Sequence, residues 1–103
     1  MSTMLHLINK SPFERTALAS CLRLAQPGGS ILLIEDGVYA ALKDGAHAGA
    51  IVDRAGDFSF YVLGPDLAAR GLGDKPLIDG FEVVDYEGFV DLVAEHDATQ
   101  SWL

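Results

Sequence analysis

Four short runs rich in leucine, β-branched and aromatic residues recur along the chain, at Met4 to Ile8, Ser30 to Ile34, Phe58 to Leu63 and Phe81 to Asp85, and each is followed by a stretch able to hold a helix. Parallel neighbours in a sheet cannot be joined by a tight turn and need a crossover, so strands that alternate with helices imply a mostly parallel sheet covered on both faces. Ser30 to Ile34 reads the same way on its own, because a continuous apolar run fits a strand buried on both sides. The expected fold is therefore α/β, a three-layer α/β/α arrangement with a mostly parallel sheet of about four to five strands. The 103 residues form one domain, 1–103.

Punctuation along the chain sharpens the boundaries. After the first strand, Ser11 is placed as a helix N-cap, Pro12 at the first helical position and Glu14 as the residue closing a capping box. Leu18, Cys21, Leu22 and Ala25 then share one helical face, and Pro27-Gly28-Gly29 ends that helix. Glu35-Asp36-Gly37 closes the second strand, and a short helix is expected over Val38 to Leu42. Lys43 to Asp57, rich in Gly, Ala and Asp, reads as a loop plus a poorly specified helix. A helix from Pro65 to Arg70 has proline at its start and Gly71 at its stop. Pro76-Leu77-Ile78 adds a minor strand, Phe81 to Asp85 is the last clear one, and the final helix over Tyr86 to His96 sets Phe89, Leu92, Val93 and His96 on one face.

Half of the residues are hydrophobic and the mean hydropathy is +0.23, yet the net charge is −8. That combination suggests that a partner covers some of the apolar surface. Fifteen acidic against seven basic residues repel a phosphate backbone, which argues against direct nucleic-acid binding. The apolar runs are far shorter than the ~20 residues of a membrane helix. Met1-Ser2-Thr3-Met4 lacks the features of a secretory leader, so the expected location is the cytoplasm.

The familiar catalytic templates are missing. Gly71-Leu72-Gly73-Asp74-Lys75-Pro76 breaks the dinucleotide pattern at its third glycine, and no phosphate loop occurs, so no cofactor is expected. His6, His47 and His96 are far apart with one cysteine to join them, which gives no zinc spacing and no expected metal. His6 reads as a hydrogen-bonded core or interface residue, and His96 as a residue of a last helical turn, where its charge would complement the helix dipole. Glu35 and Asp36 follow a strand, where open parallel sheets bind ligands, although Asp36-Gly37 reads more readily as a turn and cap. Trp102 reads as a core or interface anchor. Cys21 is the one thiol, unable to form an internal disulfide. Its place on an apolar helical stripe favours an inert buried group, and its helical neighbours offer no cation, so activation would have to come from outside the turn.

The segments Leu5 to Arg15, Leu33 to Leu42, Tyr61 to Gly71, Val84 to Leu92 and Gln100 to Leu103 together resemble the DsrH/TusB family, the smallest of three related subunits in the DsrEFH and TusBCD sulfur-transfer complexes. Lys43 to Asp57 matches least. The resemblance implies a DsrE-like fold and a cytoplasmic heterohexamer with DsrE/TusD-like and DsrF/TusC-like subunits, passing persulfide sulfur between cysteines toward a DsrC/TusE-like acceptor. It makes Cys21 the candidate carrier, since the sulfur-oxidiser branch has a cysteine in the first helix and the tRNA-thiolation branch can lack it. On that residue the chain looks closer to DsrH. In both branches the principal sulfur-accepting cysteine belongs to a larger subunit, which leaves Cys21 an accessory role.

Overall fold

The structure, a computed structural model, describes residues 3–11, 17–45 and 48–102. Pro12 and Glu14 of the expected capping box, and His47, lie outside the described residues. The elements run β1 (Met4–Ile8), α1 (Ala17–Leu24), β2 (Ser30–Leu33), a 3-10 helix (Glu35–Ala41), α2 (Ala48–Asp53), β3 (Ser59–Leu63), α3 (Gly64–Ala69), β4 (Phe81–Val84), α4 (Tyr86–Glu95) and β5 (Ala98–Trp102). All pairings between these strands are parallel and the strand order is β4-β3-β2-β1-β5. The expected α/β architecture is the one found, with five strands among the described residues.

The order of the strands decides where the helices go. From β1 through β4 each new strand is added on the same side, and right-handed crossovers therefore carry α1, α2 and α3 over one face. The return from β4 to β5 reverses direction and places α4 on the other. The burial follows this asymmetry. The first face holds Ile8, Ile31, Leu33, Phe60 and Val62 from the strands against Leu18, Cys21 and Leu22 of α1, Ile51 of α2 and Leu67 of α3. On the second face the buried cluster is Leu5, Leu32 and Leu92, with Leu7, Ile34, Tyr61, Val84 and Phe89 packed around it and partly exposed.

Three expectations about the elements themselves differ from the structure. The short helix expected over Val38 to Leu42 is a 3-10 helix that begins three residues earlier, at Glu35. Its start is tight: Glu35 holds φ at 49°, a left-handed value rare for a residue with a side chain, and a Cβ on Gly37 would overlap the Ile8 carbonyl. Pro76-Leu77-Ile78 forms no strand; Leu77 makes a single antiparallel bridge to Leu42. Phe81 to Asp85 does not hold the last strand, because Ala98–Trp102 forms a fifth, paired with β1 from Met4↔Ala98 to Ile8↔Trp102. β5 is polar and exposed over most of its length, so it lacks the apolar pattern that marks a strand in sequence.

α4 is capped by Asp85, whose Oδ1 accepts the Gly88 N–H at 2.8 Å. Of the four residues expected on its inner face, Leu92 is buried and Phe89 and His96 are half-buried, while Val93 is 43 % exposed. Val93 lies on the solvent side of the helix and is corrected accordingly.

Candidate functional site

Cys21 sits in the middle of α1 on the face turned toward the sheet, with no accessible surface. The helix presents Leu18, Cys21 and Leu22 inward because three- and four-residue spacings return to one face. Taking a thiolate out of water into this apolar layer is unfavourable, and burial pushes the thiol up to about 12, against a weaker opposing pull from the Arg54 guanidinium. At neutral pH such a thiol stays protonated.

Arg54 is the cation outside the helix turn that sequence reasoning could only require, and it arrives from the poorly legible segment Lys43 to Asp57. Its guanidinium is committed elsewhere. The two terminal nitrogens donate to the carbonyls of Leu22 and Ala25 at the end of α1, Nε donates to Asp57 Oδ2 at 2.6 Å, and the group lies 4.9 Å from the centre of the Phe58 ring. Carbonyls in the last turn of a helix have no partner within it, so Arg54 closes α1 and joins it to the α2–β3 connection. The residue that could activate Cys21 thus serves first as a helix clamp.

His6 is buried, as expected of a core histidine. Its Nδ1 accepts the Trp102 Nε1–H at 3.0 Å, and its ring stands edge-on to Phe58 at 6.0 Å between centroids. Burial lowers its pKa from the ordinary 6.5. Trp102 is the anchor that the sequence suggested, holding the end of β5 against β1. His96 makes more contacts than a helix-end charge would. Its Nδ1 donates to the Leu92 carbonyl at 2.6 Å and its Nε2 pairs with the hydroxyl of buried Ser30 at 2.8 Å, tying the end of α4 to the start of β2.

At the carboxyl ends of the strands, Asp36 Oδ1 is paired with Arg70 at 2.9 Å and the Glu35 N–H donates to Asp66 Oδ2 at 2.6 Å. The Asp36 carboxylate therefore has a turn-stabilising partner, which favours the turn reading over a ligand site. The structure does not bring Cys21, His6 and His96 together: among the described residues no group of three His, Cys, Asp or Glu could hold a metal ion. Nor, among them, is any helix long and apolar enough to cross a membrane.

Comparison with known proteins fits this architecture. The family model described as DsrH like protein matches residues 10–99. Protein TusB of Pectobacterium parmentieri is 36% identical over 101 residues, covering 96% of this chain and all of the relative. Protein TusB of Escherichia coli K12 is 34% identical over 99 residues with the same coverage. Among solved structures, the ychN protein from E. coli superposes with a TM-score of 0.87 at 20% identity, over 99% of this chain and 100% of that one. The MTH1491 protein from Methanobacterium thermoautotrophicum gives 0.76 at 19% identity, over 98% and 99%. The two structures establish the fold, and the family match and the full-length relatives establish descent: this chain belongs to the DsrH/TusB family.

Proposed function

We propose that the chain is an assembly subunit of a cytoplasmic sulfur relay of the TusBCD or DsrEFH kind, joined to TusD/DsrE-like and TusC/DsrF-like subunits in a heterohexamer that hands sulfur to a TusE/DsrC-like acceptor. Membership of the family supports a sulfur-relay subunit, and relatives named TusB favour the tRNA-thiolation branch over sulfur oxidation. The observation that carries the role within the complex is the setting of Cys21.

In a relay, the acceptor thiolate attacks the outer sulfur of a donor persulfide; the sulfur–sulfur bond breaks, the acceptor becomes the persulfide and the donor leaves as thiolate. Both partners must be exposed and readily ionised. Cys21 is fully enclosed and its thiol is pushed up to about 12. The geometry supports Cys21 as packing, with the transferred sulfur carried on other subunits. For Cys21 to act as carrier, α1 would have to lift away from the sheet.

The test loads the purified complex with a sulfane-sulfur donor and measures the intact mass of each subunit, with Cys21→Ser in parallel. Addition of 32 Da to a partner and none to this chain, with transfer unchanged in Cys21→Ser, is expected. An added sulfur atom on Cys21, or transfer lost in a variant that still assembles, would reinstate the carrier.

A further inference from the structure

The strand order leaves one face of the sheet thinly covered. Five strands spaced about 4.8 Å apart span roughly 20 Å, whereas a helix with its side chains is about 10–12 Å wide. Among the described residues α4 is the one helix on this face, and Leu7 and Tyr61 beside it remain partly exposed.

α4 itself carries three stripes. Phe89, Leu92 and His96 turn toward the sheet. Tyr86, Val90 and Val93, spaced by four and three residues, form a second row that is 61 %, 67 % and 43 % exposed. Glu87, Asp91 and Glu95, each four apart and all exposed, form a third. A solvent-facing helix of a self-sufficient domain has no use for the second row.

The negative charge is concentrated in the chain segment that carries this helix. Residues 76–103 contain seven of the fifteen carboxylates and none of the seven Lys or Arg, so this segment carries seven of the eight net negative charges. The segment builds β4, α4 and β5. At the first turn of α4 a shallow concavity of about 400 Å³, lined by Gly64, Pro65, Val83, Val84, Asp85 and Gly88, adds a carboxylate-edged recess.

We propose that the α4 face docks a different protein chain whose contact patch is apolar at its centre and bordered by Lys or Arg. The apolar row and the half-covered sheet supply the buried centre, and the carboxylate row selects a basic border. A second copy of this chain is the wrong occupant, because a two-fold contact through α4 would set two such acidic segments against each other. The proposal rests on the relay reading in that the probes are the two related subunits of the complex.

The experiment co-expresses the chain with its TusD/DsrE-like and TusC/DsrF-like subunits and compares wild type with Val90→Glu and with the triple variant Glu87→Lys, Asp91→Lys, Glu95→Lys. Circular dichroism verifies that the variants fold. Wild type is expected in equal proportion with its partners, with recovery at least about tenfold lower in both variants. Both variants recovered like wild type would overturn the docking surface while leaving the relay reading intact. An isolated chain that sediments as a dimer, and as a monomer when Val90→Glu is introduced, would overturn the choice of partner. Wild type that fails to co-purify with either subunit would overturn the relay reading and this proposal with it.

Discussion

The indole Nε1–H of Trp102 is hydrogen-bonded to Nδ1 of His6, 3.0 Å away on the neighbouring strand, and this bond fixes a polar edge strand to the core. β5 has few apolar contacts of its own. Trp102→Phe keeps most of the ring but removes the donor, leaving the Nδ1 lone pair of a buried histidine without its partner. The expected loss is about 1–2 kcal/mol of stability, read from urea unfolding. A loss near zero would mean that ladder bonds to β1 suffice.

The same pair predicts an acid limb. Burial lowers the pKa of His6 in the folded state, so the unfolded chain binds a proton more readily, and stability is complete above the ordinary value of 6.5 and falls as pH drops below it. Protonation also consumes the lone pair that Trp102 uses. Melting temperature measured from pH 8 to 5 should decline for wild type and decline less for His6→Gln. Equal slopes would assign the acid sensitivity to other groups.

Much of the fold was legible because its signals are local. β1, β2, β3 and β4 are apolar runs closed by Gly, Pro or Asp, and α1 and α4 show helical spacing. β5 was not legible, since Ala98, Thr99, Gln100 and Ser101 owe their strand geometry to the free edge of β1 rather than to their own pattern. Trp102 was its one visible trace. At the candidate site, the apolar stripe around Cys21 correctly foretold burial. Arg54 could not be found, because its role depends on α1 and the α2–β3 connection meeting in space, and sequence carries no distances.

Cys21 should resist reagents and respond to alkali. In native protein, labelling by a water-soluble disulfide reagent should be slower than in urea by orders of magnitude, as expected of a thiol that reacts through opening of the fold. The unfolded thiol ionises near 9.0 and the folded one near 12, so stability is intact below pH 9.0 and is lost as pH rises from there toward 12. The contribution approaches about 1.4 kcal/mol per pH unit inside that window. Cys21→Ala should remove this part of the alkaline slope while costing about 1–2 kcal/mol at neutral pH. Rapid labelling of the native chain would contradict the buried setting.

Glu35 offers a test in the stabilising direction. Its φ of 49° is costly for a residue with a Cβ, by roughly 1–2 kcal/mol, and glycine avoids that cost while giving up about 0.5–1 kcal/mol of entropy to the unfolded chain. Glu35→Gly should therefore raise stability by up to about 1 kcal/mol, since the interaction with Asp66 uses the backbone N–H and survives. A fall in stability would show that the Glu35 side chain contributes more than its backbone costs.

Arg54 joins the two halves of the site, and its replacement separates structural from electrostatic roles. Arg54→Met keeps part of the aliphatic packing on Phe58 but strips the donors from the Leu22 and Ala25 carbonyls and from Asp57. The expected cost is about 2–3 kcal/mol, from several charge-assisted bonds to partly buried acceptors. Loss of the guanidinium also removes the influence that holds the Cys21 thiol down against burial, so ionisation of that thiol should move to still higher pH. Ultraviolet titration of thiolate absorbance, compared with a Cys21→Ala background to subtract the tyrosines, reads this directly. Arg54→Lys separates the two effects: a lysine retains the charge but cannot make three bonds in the same fork, so stability should fall while thiol acidity stays near wild type. Thiol acidity that rises in Arg54→Met would reverse the assignment of Arg54 as the cation acting on Cys21.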